Sequence, residues 1–237
     1  MSDTVPAFDI AGLPERIETV RRRVAIAAEV SGRDVDAVTI VAVSKTFPRP
    51  VVDAAYEAGL RVFGENRVQE AREKFATPLP ADAGVHLIGQ LQTNKVRHAV
   101  GLFSCIESVD RVNLIETLER EAARRDVVVP VLLQVNIARE EQKSGCDPDD
   151  APELLELIAV QPHLRCEGLM TIAPFVPDPE ETRSVFRDLH LMREEFRIRH
   201  PGLPLDVLSM GMSNDYEVAI EEGATHVRIG RALFGQR

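Results

Sequence analysis

The feature that most restricts this chain is an alternation. Eight short apolar runs, rich in β-branched residues, are separated from one another by segments with helical periodicity. The first run, 38–43, reads Val-Thr-Ile-Val-Ala-Val and has almost no polar face, as a strand covered on both sides requires. Further runs fall near 61–63, 85–89, 102–106, 130–137, 164–169, 205–208 and 225–229. Helical patterns lie between them, at about 50–58, 66–76, 92–100, 110–125, 149–159, 180–199 and 214–222. Another helix precedes the first strand, where Leu13, Ile17, Val20, Val24 and Ala27 share a face and Gly32 ends the pattern. Residues 231–234 can start a last one. With no polar linker, the series predicts an α/β chain forming a single (β/α)8 TIM barrel over 1–237, with an extra N-terminal helix and a flexible stretch at 1–12. A doubly wound open sheet would alternate in much the same way. It loses its main support because no G-x-G-x-x-G follows the first strand and no G-x-x-x-x-G-K-[ST] occurs.

Charge and cysteine content narrow the compartment and the partners. The net charge of −10 gives no general attraction for nucleic acid or an anionic membrane. No run approaches the roughly 20 apolar residues that span a bilayer, and MSDTVPAFDI lacks the basic start and apolar core of a signal peptide. Cys105, Cys146 and Cys166 are odd in number and form no C-x-x-C, so a cytoplasmic chain without a metal site is expected. Cys105 and Cys166 sit in apolar runs and read as core residues.

In a barrel, chemistry collects where strands end at their C-terminal side. Here those ends carry Ser44-Lys45, Glu65-Asn66, Gln90, Gln134 with Asn136, Thr171, Ser209–Ser213 and Arg228–Gly230. Lys45 directly follows a buried strand, so its amine falls in a partly desolvated mouth, where free amine able to attack an aldehyde is favoured. The plainer reading is a lysine that snorkels outward. Barrel closure shifts the balance, because it makes the first strand the neighbour of the last and brings Lys45 towards Arg228. Two cations side by side call for an anion or an aldehyde adduct. The loops after strands 7 and 8, where barrels often hold phosphate, supply Ser209, Gly211 and Ser213, then Arg228, Ile229 and Gly230. Taken singly, Ser213 is as well explained as a helix cap and Gly230 as a tight turn.

On these residues the sequence resembles a known family, the YggS/PROSC pyridoxal 5'-phosphate (PLP) homeostasis proteins. The matching segments are VAVSKTFP (41–48), FGENRVQE (63–70), HLIGQLQTNK (86–95), SVDR (108–111), KSG (143–145), GLMTIAP (168–174), SMGMSNDYEVAI (209–220) and RIGRALFG (228–235). Val85, where the family often has an aromatic residue, is a small departure. The resemblance implies a monomeric or weakly associating barrel of the alanine racemase N-terminal domain type, with PLP as cofactor, linked as a Schiff base to Lys45. It further implies that Ser209, Ser213, Ile229 and Gly230 serve the phosphate, that Arg228 faces the pyridine nitrogen, and that Asn66 lies beside the cofactor.

An arginine at the pyridine nitrogen makes the ring a weaker electron sink than a carboxylate would. Racemisation also needs acid/base groups on both faces of the substrate carbon. Lys45 is one candidate, but Tyr56 and Tyr216 fall in helices, and His86 begins a strand rather than ending one. The expectation is therefore a PLP carrier that buffers the cofactor or delivers it to apo PLP-dependent enzymes, with a small amino-acid racemase as the alternative. A third reading, an interaction protein, would use the mixed-charge helix 180–199, which more simply reads as a solvated face. Lys74, Lys95 and Lys143 are candidate secondary acceptors during transfer.

Overall fold

A computed structural model of the chain describes residues 10–235. Eight strands form a closed barrel in sequence order: β1 (Thr39–Val43), β2 (Val62–Glu65), β3 (Gly84–Leu87), β4 (Cys105–Val109), β5 (Val129–Gln134), β6 (Leu164–Met170), β7 (Val207–Met212) and β8 (His226–Ile229). Every pairing is parallel, and β8 closes on β1 with Val41 opposite Arg228 and Ala42 opposite Ile229. The predicted barrel is thus the observed one.

Side-chain alternation divides the molecule into two cores. Ala42, Phe63, Leu87, Ile106, Leu133 and Leu208 belong to the large apolar layer shared with the helices. Cys105, Leu132 and Met170 form a small separate cluster. Around the barrel run α1 (Leu13–Val30), α2 (Arg49–Glu57), α3 (Val68–Lys74), α4 (Val96–Ala99), α5 (Val112–Arg125), α6 (Ala151–Ala159), α7 (Arg183–Arg199), α8 (Tyr216–Glu221) and α9 (Arg231–Phe234). The extra helix α1 packs on α8 and α9, burying Leu13, Ile17, Val20 and Val24. Each fully buried Leu, Ile or Val contributes about 1.5–3 kcal/mol relative to exposure. Arg16 donates to Leu233 O at 2.8 Å and Arg33 to Ala224 O at 2.8 Å, which ties the start of the chain to its last βα unit. Of the stretch expected to be flexible, residues 1–9 lie outside the described part, and Ile10 accepts the Leu13 N–H as the chain turns into α1.

Most boundaries shift by one to three residues from expectation, and three of the differences bear on the architecture or the site. The helix expected at 92–100 is a single 3-10 turn, Thr93–Lys95, followed by the one-turn α4. Strand β4 begins at Cys105 rather than 102, because Leu102 and Phe103 donate back to Ala99 and finish the preceding turn. The third matters most for the site: β7 does not stop at 208 but runs to Met212, with its register to β8 shifting between Ser209 and Met212 and Gly211 at φ 88°. The mixed-charge helix α7 buries Phe186, Leu189 and Phe196. Its Arg183 pairs with Glu180, Glu221 and Glu222, so much of its charge is spent within the fold.

Candidate functional site

Lys45 sits on a tight turn at the end of β1. Phe47 N–H donates to Ser44 O at 3.0 Å, and Thr46, the third residue of that turn, has φ 67°. A β-branched residue in the left-handed region is an outlier that its surroundings must hold. Here the Thr46 N–H donates to Glu70 Oε1, while Lys74 Nζ donates to Ser44 O at 2.8 Å and to Glu65 Oε1 at 2.6 Å. The Ser44 hydroxyl donates to the same Glu65 oxygen at 2.7 Å. Burial pushes the Glu65 carboxyl above its ordinary pKa, against the opposing effect of Lys74 and Ser44. Lys74 is therefore a buried structural cation, which overturns its reading as a surface acceptor. Lys143, by contrast, donates to Ile172 O at 3.4 Å, at the edge of the cavity described next.

A cavity of about 590 Å³ opens at the C-terminal ends of the strands, and Lys45, Asn66, Ser213, Arg228 and Gly230 all line it. Its walls also include Phe47, Ile88, Ile172 and Phe175, with Asp215 and Arg231 as further charged groups. Phe47 packs against Phe234 with ring centroids 5.1 Å apart, joining the Lys45 loop to α9 across the barrel seam. The Ser213 hydroxyl accepts the Ala232 N–H at 3.4 Å, so the loops after β7 and β8 are held together at this end. Among the described residues, three cations and one carboxylate face the cavity, in a chain of net charge −10. That donor set, with apolar Ile88, Ile172 and Phe47 beside it, fits a flat anionic ligand carrying an aldehyde.

Arg228 enters the cavity from below. Its guanidinium donates to Ser209 Oγ at 2.6 Å and to Thr171 O at 2.7 Å, and the residue is 4% exposed. Burial lowers its pKa, against the charges of Glu107 and Asp215. Asp215 accepts the Met212 N–H at 2.6 Å, and burial raises its pKa, the Met212 hydrogen bond and Arg228 opposing.

The expected site residues do not all reach the cavity. Ser209 and Ile229 are fully buried and neither lines it. The reason is the longer β7: Ser209 lies within the strand, with its hydroxyl engaged inside the barrel by Arg228 and Glu107, rather than in a loop above it. Ile229 follows Arg228 on β8, so the alternation that turns Arg228 inward places the Ile229 side chain in the outer core. Asp215, Phe47 and Phe175 were missed, because nothing in the spacing marks them as rim residues. Tyr216 is buried with Arg23 over its ring, and Tyr56 donates to Asp82 at 2.7 Å on the outside of the barrel, so neither tyrosine lines the cavity. His86 bonds Glu107 through Nδ1 at 2.7 Å, within the structural role expected of it. A second depression, of about 550 Å³, lies between α1 and the start of β1 and mixes Glu18, Arg21, Asp36 and Arg61. It is at the N-terminal face of the strands, where residues of a barrel serve stability.

The sequence and the fold are shared with known proteins. Residues 17–237 match the family model for the alanine racemase N-terminal domain. A pyridoxal phosphate homeostasis protein of Aquifex aeolicus is 44% identical, over 94% of this chain and 97% of the relative. One from Pseudomonas aeruginosa is 43% identical over 95% and 96%. The chain belongs to the pyridoxal phosphate homeostasis protein family. A solved family member, PipY of Synechococcus elongatus with PLP bound, is 39% identical, covers 94% of this chain and all of that one, and superposes with a TM-score of 0.82. Alanine racemase from Streptomyces coelicolor shares the fold at 22% identity and a TM-score of 0.73, with 59% of its length covered. Among the described residues, no helix is long and apolar enough to cross a membrane.

Proposed function

We propose that this protein binds PLP in the cavity at the C-terminal mouth of the barrel and acts as a cytoplasmic, monomeric PLP carrier. One observation carries the reading: Lys45, Ser213, Arg228 and Gly230, from opposite ends of the sequence, line a single cavity. When bound, PLP supplies an aldehyde through which an amine can be held covalently. Lys45 offers that amine from a turn whose backbone is clamped by Glu70 and Lys74. Ser213 and the Gly230–Arg231 backbone would receive the phosphate, and Ile229, packed in the outer core, would only fix where that backbone leaves β8. Asn66 would border the cofactor, and Arg228 would offer the ring a cation rather than a carboxylate. Holding the cofactor, buffering its free concentration and passing it to apo PLP-dependent enzymes follow from such a site.

Incubation with PLP is expected to produce a visible absorbance band and a borohydride-stable adduct that peptide mass spectrometry places on Lys45. No band, or an unchanged adduct in Lys45→Ala, rejects the site. Transfer to several apo-enzymes, compared with free PLP at equal concentration, then separates delivery from storage. Sustained turnover of an amino acid by the purified protein, abolished in Lys45→Ala, would make it a racemase-like enzyme instead.

A further inference from the structure

Below the cavity, a polar chain threads the barrel interior. Glu107 on β4 is fully buried, and both of its oxygens are engaged. Oε1 meets His86 Nδ1 from β3 at 2.7 Å, and Oε2 accepts the Ser209 hydroxyl from β7 at 2.5 Å. Ser209 has one hydroxyl proton, and it is donated in the hydrogen bond to Glu107. The hydroxyl oxygen therefore accepts from Arg228 NH1, at 2.6 Å. From β8, His226 stacks on His86 with ring centroids 6.0 Å apart. A buried carboxylate and a buried guanidinium are thus joined through a single neutral hydroxyl.

Such a pair is costly, and the same interior accepts apolar filling, as Cys105, Leu132 and Met170 show. A well-packed hydrophobic plug would close the barrel at less expense. The carboxylate does not line the cavity. It acts on Ser209, Ser209 acts on Arg228, and Arg228 does line it. The second Arg228 bond, to Thr171 O at 2.7 Å, leaves the guanidinium two fixed contacts and one preferred direction.

We propose that Glu107 and Ser209 are positioning residues for Arg228, holding its guanidinium towards the ring end of the cavity and thereby setting how tightly PLP is retained and the protonation state of its ring. The inference rests on the PLP reading. It assigns a ligand-directed purpose to two residues, Glu107 and Ser209, that otherwise look like core polarity.

The test uses the full-length protein and its Glu107→Gln, Ser209→Ala and Leu132→Val variants. PLP retention is followed by equilibrium dialysis, the pH midpoint of the bound cofactor's absorbance band by titration, and stability by thermal unfolding without cofactor. Glu107→Gln removes the charge and Ser209→Ala removes the link. Each is expected to weaken PLP binding about tenfold, the worth of one charge-assisted hydrogen bond. Each should also move the absorbance midpoint by about half a pH unit or more, because Arg228 no longer faces the ring in one orientation. Leu132→Val, an equally buried interior change, should lower the unfolding temperature and leave that midpoint in place. Should Glu107→Gln fail to fold, Ser209→Ala, which keeps both buried charges, decides the matter alone. Wild-type protein that retains no PLP overturns the cofactor reading itself. Wild-type binding with an unmoved midpoint and less than about twofold weaker retention in Ser209→Ala overturns the positioning role while leaving the cofactor reading intact.

Discussion

Val41 and Arg228 are register partners across the seam of the barrel, one from the first strand and one from the last. That single pairing brings the two ends of the site together. Lys45 leaves β1 a few residues beyond Val41, and Gly230 leaves β8 just beyond Arg228, so both loops open into the same cavity.

The turn that carries Lys45 depends on Lys74. Its side chain is 6% exposed and that of Glu65 0%, with 2.6 Å between the charged atoms. Lys74→Met leaves the Glu65 carboxylate buried without its cation, and about 3–5 kcal/mol of stability is expected to be lost. The double variant Lys74→Met, Glu65→Gln should recover part of that loss. Urea unfolding midpoints check both, and a single variant as stable as wild type would mean the pair carries no such burden.

Gly89 permits the close approach of two strand ends at the cavity rim. A Cβ there would lie 2.4 Å from Asn66 O and 2.8 Å from Asn66 Cα, both backbone atoms that cannot swing aside. Gly89→Ala should cost about 1–3 kcal/mol, as overpacking does. It should also weaken PLP retention, because Asn66 lines the cavity. Gly202→Ala, which meets nothing within 4 Å, is the matched control and should leave both properties unchanged.

Stability should fall on mild acidification. Burial, opposed by the Glu107 charge and reinforced by those of His86 and Arg228, lowers the His226 pKa from 6.5 to about 4. Between those values the unfolded chain binds more protons than the folded one, so this contribution is complete above pH 6.5 and is lost as pH falls through 4. At roughly 1.4 kcal/mol per pKa unit, the loss reaches about 3 kcal/mol. Glu107 acts lower. Burial alone would raise its pKa, but the His86 hydrogen bond and the His86, Arg228 and His226 charges hold it at about 2, below its ordinary 4.5. Its contribution therefore declines only below 4.5. Unfolding midpoints measured against pH should flatten between 6.5 and 4 in His226→Asn, and an unchanged slope would assign the effect elsewhere.

In the proposed site, Ser213, which lines the cavity from the loop after β7, would face the phosphate of the cofactor. Ser213→Asp sets a like charge against the phosphate and should weaken PLP binding by about tenfold or more, while pyridoxal, which lacks the phosphate, changes less than about threefold. Equal losses for both ligands in a dialysis assay would show that Ser213 does not face the phosphate.

Much of this was legible in the residues themselves. The eightfold alternation announced the closed barrel, because a strand with no polar face has to be covered on both sides. The Lys45 turn, Asn66, Ser213 and Gly230 were legible for a related reason, since strand ends and the loops after them are where a barrel exposes polar groups. Whether a polar residue stands in a loop or in a strand is a different matter. Ser209 reads like Ser213 in the run Ser-Met-Gly-Met-Ser, yet β7 extends past it and the strand period turns its hydroxyl inward. Glu107 left no signal at all, being one acidic residue in an apolar run. Periodicity is a local property, so it determined which segments become strands and helices and where the chain can carry chemistry. Contacts between strands far apart in sequence are not local. Only closure of the barrel decided that Glu107, Ser209 and Arg228 would share one interior, and that Arg228 would reach the cavity bonded to a hydroxyl whose proton a buried carboxylate accepts.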